Sequence, residues 1–147
     1  MRYKESGNVH MDFHRTLNAT ISYLVEKHGE AFLKKTLRRM AHDVYHSIRE
    51  DLRRGDPAQL LEHWCYYFDR EKGKYEIKHT EDEIRMTVTR CPAFDYLEKQ
   101  GIEISPHFCS QTVEINKALA EDTPFRIQTR PNGDGSCVQI IEKRDKR

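Results

Sequence analysis

The chain has 147 residues, of which 33% are charged and 37% are hydrophobic, so it is long enough for one domain with a moderate core and a very polar surface. Its 25 lysines and arginines nearly balance its 24 aspartates and glutamates, which argues against binding to nucleic acid through bulk positive charge. No apolar run approaches the ~20 residues that span a bilayer, so we expect neither a nucleic-acid nor a membrane partner.

The N-terminal stretch MRYKESGNVHMDFHR lacks the apolar segment of a signal peptide, and we therefore expect a cytoplasmic location. In that compartment the cysteines are expected to be thiols, metal ligands or nucleophiles more often than disulfide partners. The chain has four of them: Cys65, Cys91, Cys109 and Cys137.

Residues 1–70 form the helical half of the predicted domain. Apolar residues recur at helical spacing over residues 12–28, and Gly29 is the predicted stop. From Glu30 to Arg54 a wider apolar stripe predicts one long amphipathic helix that ends near Gly55. This stripe could pack inside the chain or form the surface of a homodimer.

A third helix is predicted after Asp56-Pro57, which supplies an N-cap and a proline in the first turn. Cys65 falls on its apolar face between Trp64 and Phe68. We expect this cysteine to pack in the core, as free cysteines commonly do.

Residues 71–147 contain four short runs in which polar and apolar residues alternate, which predicts two β-hairpins. The first hairpin covers residues 74–90, and the second covers residues 125–143 with a turn at PNGDG. Five apolar side chains of the first hairpin share one face: Tyr75, Ile77, Ile84, Met86 and Val88. Between the hairpins, Cys91-Pro92 and Ser105-Pro106 each predict the start of a short helix.

The order of three helices, a hairpin, two helices and a second hairpin predicts an α+β fold. In this fold the N-terminal helices pack with an antiparallel sheet made of two hairpins that are separated by two short helices. We expect residues 1–147 to form a single domain.

Three cysteines lie where elements of the second half begin. Cys91 is the predicted N-cap of its helix, and Cys109 lies in or just past the first turn of the next. Free N–H groups and the helix dipole stabilise an anion there, so we expect either thiol to have a lowered pKa. Cys137 begins the last strand, and one sheet made from both hairpins would bring it near these helix starts. We therefore predict a small-molecule cavity with Cys109 as the leading nucleophile, supported by Cys91 and Cys137.

Histidines add candidates around these thiols. His107 precedes Cys109 by two residues and could act as its base or cation, but residues two apart on a regular helix diverge, so the pair requires an irregular first turn. His14 on the first helix could line a cavity under the sheet. His42 and His46 share a helix face and could chelate a metal ion, or they could simply flank the core.

The second half also carries four short segments in a fixed order: Arg90-Cys91-Pro92, Phe108-Cys109, Lys117–Glu121 and Asp134–Cys137. Together with Tyr23-Leu24, Gly29 and Trp64 upstream, they resemble the L-2-amino-thiazoline-4-carboxylic acid hydrolase family. The chain departs from the family's pattern at Thr112, where an acidic residue is expected, and at Val138-Gln139, where Asp and Phe are expected. The chain thus keeps the three cysteines of the family's pattern but differs at neighbouring positions. These differences affect the expected substrate more than the expected fold.

The resemblance implies a hydrolase that opens a cyclic amidine, a thiazoline bearing a carboxylate, to a carbamoyl-cysteine without a required cofactor. The carbon of an amidine is electrophilic, so a thiolate can attack it before water releases the product, or a base can activate water directly. The carboxylate of such a substrate would need a cationic partner. Arg90 and Arg130 are the candidates for that role.

Two non-catalytic alternatives stay open at this point. Cys91, Cys109 and Cys137 could hold a zinc ion, although the chain has no Cys-x-x-Cys pair of the kind found in compact zinc modules. The same fold could also bind a small molecule and report it to a partner, as a sensor or interaction domain.

Overall fold

The computed structural model describes Gly7 and residues 9–144, so part of the N-terminal stretch considered above for a signal peptide lies outside it. The described residues form six helices: α1 (Asp12–His28), α2 (Glu30–Val44), α3 (His46–Arg53), α4 (Ala58–Arg70), α5 (Pro92–Lys99) and α6 (Ser110–Leu119). They also form four strands: β1 (Lys74–His79), β2 (Glu83–Arg90), β3 (Phe125–Pro131) and β4 (Cys137–Lys143). The fold is α+β, as predicted. None of these helices is both long enough and apolar enough to cross a bilayer.

Gly29 separates α1 from α2 at the predicted position. Its φ of 81° lies in the left-handed region that favours glycine, and its N–H donates to the carbonyl oxygen of Val25 at 2.9 Å. The first helix therefore ends where the sequence places its stop.

The single long helix predicted from Glu30 to Arg54 is wrong. The backbone leaves the helical region at Tyr45 (φ −101°, ψ 27°), and this break divides the segment into α2 and α3. The ring of Tyr45 packs edge-on against His63, with ring centroids 5.2 Å apart. The break directs α3 toward α4 while the apolar faces of both new helices stay buried.

The apolar stripe of α2 and α3 is used inside the chain. Its buried members are Leu33, Leu37, Ala41, Ile48 and Leu52. Phe32 and Val44 are 44% and 50% exposed, so the stripe is used inside the chain only in part, and association of two copies stays a prediction.

The sheet has the strand order β1-β2-β4-β3, and all neighbouring strands are antiparallel. In the first hairpin Tyr75 pairs with Val88 and Ile77 with Met86, so the predicted apolar face is confirmed. The two hairpins join through β2 and β4, where Val88 pairs with Cys137. This junction places the start of β4 beside the end of β2, and the chain continues from β2 into α5.

Two apolar clusters fill the interior. The first lies between the sheet and α3, α4 and α6 and contains Trp64, and the second lies among α1, α2 and α5 and contains Leu97. Cys91 and Ile115 pack against both clusters, so the clusters meet near the start of α5. Cys65 packs against the first cluster, which confirms its predicted core position.

Candidate functional site

A cavity of about 430 Å³ lies where the two clusters meet. Its volume falls within the ~300–1,000 Å³ that is usual for small-molecule sites. Its walls come from α1, α2, α4, the start of α5, one face of α6, and the inner face of β3 and β4. Seven aromatic side chains line it: Phe13, Tyr45, Trp64, Tyr67, Phe68, Phe94 and Phe108. Phe13 and Tyr67 are 45% and 42% exposed, so they border its opening.

All three cysteines of the predicted site line this cavity. Cys91 comes from the N-cap of α5, Cys109 from the residue before α6, and Cys137 from the first position of β4. The expected convergence of thiols that are distant in sequence is therefore present. Their catalytic roles stay predictions.

Cys91 is fixed by both the helix that follows it and the second hairpin. It is the N-cap of α5 with an extended backbone (φ −79°, ψ 122°), and Pro92 takes the first helical position, as predicted. Its N–H donates to the carbonyl oxygen of Gly135 at 3.1 Å. The N–H groups of Phe94 and Ala93 at the start of α5 act on its thiol and favour the thiolate.

Gly135 lets the turn of the second hairpin approach α5. Its φ is +84°, and a Cβ at this position would lie only 2.9 Å from the Cβ of Phe94. A side chain at position 135 would therefore push the hairpin away from α5. Because Cys137 follows shortly after this turn, the close approach brings Cys137 and Cys91 to the same cavity.

Cys109 lies on a tight turn, and the helix start predicted at Ser105-Pro106 is wrong. The N–H of Phe108 donates to the carbonyl oxygen of Ser105, and the N–H of Ser110 donates to that of His107, both at 2.9 Å. Bonds between residues three apart make this stretch tighter than an α-helix, so the regular helix begins only at Ser110.

The pKa values of these thiols are raised, so the predicted lowering at helix N-termini is wrong. Burial, with the charges of neighbouring cysteines, raises the pKa of Cys109 to about 11 and that of Cys137 to about 12. Burial also raises the pKa of Cys91, and the N–H groups of Phe94 and Ala93 offset that only in part. All three side chains are therefore protonated thiols at neutral pH.

A buried histidine–glutamate pair lines the same cavity. Nε2 of His14 on α1 lies 2.7 Å from Oε2 of Glu71, directly after α4, and the two side chains are 9% and 6% exposed. A carboxylate accepts, so Nε2 carries the proton, and the buried Nδ1 has no hydrogen-bond partner among the described residues. A histidine oriented in this way by a carboxylate presents its second nitrogen as a base. Glu71 is also close enough for its charge to act on Cys91.

A polar group on the sheet side completes the lining. Asn116 of α6 donates from Nδ2 to Oγ1 of Thr129 at 2.8 Å and to Oε1 of Gln139 at 3.0 Å. Both amide hydrogens are then used, and Oδ1 of Asn116 is left to accept a hydrogen bond. Gln139 is 2% exposed and lies on the same face of β4 as Cys137.

His107 does not line the cavity, although the irregular turn that a His107–Cys109 pair requires is present. Its charge acts instead on the carboxylate of Glu30 at the start of α2. His107 therefore lies outside the cavity, whose lining includes two other histidines, His14 and His63.

Arg90 and Arg130 also lie outside the cavity. Arg90 forms an ion pair with Asp95 of α5, and its side chain is 51% exposed. Arg130 is exposed on β3 and donates to Oε1 of Gln128 at 2.8 Å. These two cations therefore have partners at the protein surface.

Within residues 9–144 no three His, Cys, Asp or Glu side chains come close enough together to hold a metal ion. The three-cysteine zinc site stays a prediction. The shared face of His42 and His46 is lost, because they lie on opposite sides of the break at Tyr45. His42 lies instead 3.3 Å from Oε2 of Glu121.

The sequence did not identify Glu71, Asn116 or Gln139 as site residues. Gln139 carries a usable signal, because it alternates with Cys137 along an inward-facing strand and is polar where the pattern predicts an apolar residue. Asn116 has the same kind of signal on α6. Glu71 has no such signal in the sequence, because it becomes part of the site only through its tertiary contact with His14.

No protein-family model matches the chain, and a search of curated proteins found no match.

Proposed function

We propose that this chain is a hydrolase that opens a small cyclic amidine inside the cavity. The observation that supports it best is that three thiols and the His14–Glu71 pair line one cavity. A nucleophile, a base and a carboxylate that orients the base are the groups needed to attack an electrophilic carbon. The amidine substrate comes from the resemblance of the cysteine pattern. The cytoplasm, where thiols persist, is the proposed location, consistent with four free cysteines in the structure.

We assign the nucleophile to Cys91, although the sequence favoured Cys109. The N–H groups of Phe94 and Ala93 act to lower the pKa of Cys91 and so favour its thiolate, whereas burial and the charge of Glu71 act to raise it. For Cys109 the groups that act on the thiol are the surrounding apolar atoms and Cys91. A thiolate is therefore better supported at Cys91.

In the proposed reaction Nδ1 of His14 takes the proton of the Cys91 thiol, directly or through one water, while Glu71 stabilises the imidazolium. The thiolate bonds to the amidine carbon, and a ring C–S or C–N bond breaks as the leaving atom takes the proton from His14. Water then adds to the same carbon and displaces Cys91, which regains a proton. One water is consumed and one ring bond is opened.

The raised pKa of Cys91 fits this scheme. A protonated amidine carries a positive charge, and a positive charge beside a thiol lowers its pKa. The thiolate would then form only when the substrate is bound.

The direct test is a turnover screen of cyclic amidines and lactams, read by mass spectrometry as the gain of one water. We expect turnover by the wild type, and at least about a hundredfold loss of kcat in Cys91→Ser, because a hydroxyl is a much weaker nucleophile than a thiolate. Cys65→Ser is the matched control, since its thiol lies in the core and outside the cavity. Full activity in Cys91→Ser together with loss in Cys109→Ser would move the nucleophile to Cys109.

A non-catalytic binding domain is the second proposal, and the protonated state of all three thiols favours it. In that case amidines or apolar molecules should raise the Tm of the wild type without forming product. Turnover that is lost in Cys91→Ser and kept in Cys65→Ser would rule this proposal out.

A further inference from the structure

We propose that this cavity takes a cation that bears an apolar or aromatic group, and that it disfavours a carboxylate. This inference rests on the proposed function and narrows its substrate to amidinium compounds without a free acid. It differs from the thiazoline carboxylate that the resemblance implies.

The charge inside the cavity is the first reason. The ionisable groups of the lining include one carboxylate, Glu71, which is 6% exposed and bonded to His14. With neutral His14 the pair carries one negative charge, and with protonated His14 it carries none. No lysine or arginine occurs among the described lining residues. Neither state of the pair therefore offers an anion a net positive charge.

The other ionisable side chains do not change this balance. His63 also lines the cavity, and burial lowers the pKa of His63 to about 4, so its imidazole is neutral at pH 7. The three thiols stay protonated for the same reason. A carboxylate that entered would lose its hydration without gaining a cationic partner, which is costly.

The lining also offers positive recognition of an amidinium. Glu71 supplies the opposite charge, and Oδ1 of Asn116 is the acceptor for an amidinium N–H. Rings of Trp64 and Phe68 supply faces that attract cations and apolar surface for a substituent. The exposed rings of Phe13 and Tyr67 at the opening extend this surface toward solvent.

A matched pair of probes tests the inference by calorimetry on the full chain: 2-amino-2-thiazoline-4-carboxylate and its methyl ester. The two share the amidine and nearly the same shape, and they differ in the negative charge. We expect the ester to bind at least about tenfold more tightly to the wild type. Equal or tighter binding of the carboxylate, or no binding of either probe, overturns the inference.

Two variants assign the selectivity to the cavity. Glu71→Gln should lose most of the preference for the ester, whereas Glu62→Gln, on the exposed face of α4, should keep it. Thr112→Lys puts a cation into the lining and should shift the ratio toward the carboxylate, which keeps the test valid if Glu71→Gln fails to fold. An unchanged ratio in a folded Thr112→Lys protein overturns the inference.

Failure of the inference and failure of the proposed function give different results. Tighter binding and turnover of the carboxylate overturn the inference and leave the hydrolase proposal standing. Selective binding of the ester without turnover of any amidine supports the inference and removes the hydrolase proposal.

Discussion

Burial has a larger effect than the helix N-terminus on the thiols of this protein. The N–H groups at the start of α5 act to lower the pKa of Cys91, and its pKa is nevertheless raised, because burial outweighs them. No N–H group of the described residues offsets burial at Cys109 or Cys137, and their pKa values are raised further, to about 11 and about 12. Reactivity at this site therefore depends on what enters the cavity.

This conclusion predicts slow alkylation of Cys109 by iodoacetamide. The pKa of Cys109 is about 11 against an ordinary value of 9.0, so at pH 8 it holds about a hundredfold less thiolate than an ordinary thiol. The rate should rise with pH until about 11, since the thiolate is the reactive form. Peptide mass spectrometry of pulse-labelled protein over pH 7–11 measures it, with N-acetylcysteine as reference. A rate that levels off below pH 8 would contradict the raised pKa.

At the scale of elements, the site is assembled by the contact between the second hairpin and the start of α5. Gly135 makes this contact possible, because it has no side chain to meet Phe94 and its carbonyl oxygen accepts the N–H of Cys91. Oδ1 of Asn18 on α1 accepts the N–H of Ser105 at 2.9 Å and so holds the loop before α6 against α1. The first contact holds the hairpin turn before Cys137 against Cys91, and the second holds the loop before Cys109 against α1.

Gly135→Ala should destabilise the protein and reduce activity, and Gly133→Ala in the same turn is its matched control. Both glycines have positive φ (+84° and +87°), so each substitution should cost about 1 kcal/mol of backbone strain. Only at Gly135 would the new Cβ also meet Phe94, since nothing lies within 4 Å of the Cβ position at Gly133. We expect the unfolding free energy of Gly135→Ala to fall by about 1–3 kcal/mol more than that of Gly133→Ala in urea titrations. Equal losses of unfolding free energy would show that contact between the new Cβ and Phe94 does not destabilise the protein.

At the scale of the whole molecule, the cavity lies between two apolar clusters that share Cys91 and Ile115. Neither cluster alone encloses it, because the thiols, His14 and Trp64 come from elements on both sides. We therefore expect the described residues to unfold as one cooperative unit, which would agree with the single domain predicted from the sequence.

Two leucine truncations test this cooperativity. Leu52 in the first cluster and Leu97 in the second are both 0% exposed, so Leu52→Ala and Leu97→Ala should each cost about 2–5 kcal/mol. Trp64 is the single tryptophan and lies in the first cluster, so its fluorescence reports on that cluster. We expect Leu97→Ala to shift the Trp64 transition as much as Leu52→Ala does. If Leu97→Ala shifts the unfolding transition measured by far-UV circular dichroism but not the one measured by Trp64 fluorescence, the second cluster unfolds separately.

The sequence by itself determined the element types, the two hairpins, the inward apolar face of the first hairpin and the Cys91 N-cap, because these depend on local periodicity and on residues such as Pro92 and Gly29. It failed at Tyr45 and at Ser105-Pro106, where contacts with other elements override a continuous local pattern. Only the tertiary structure decided which side chains share the cavity, and it replaced His107 with His14 and Glu71. It also decided the protonation of the thiols, because desolvation depends on atoms that come from elsewhere in the chain.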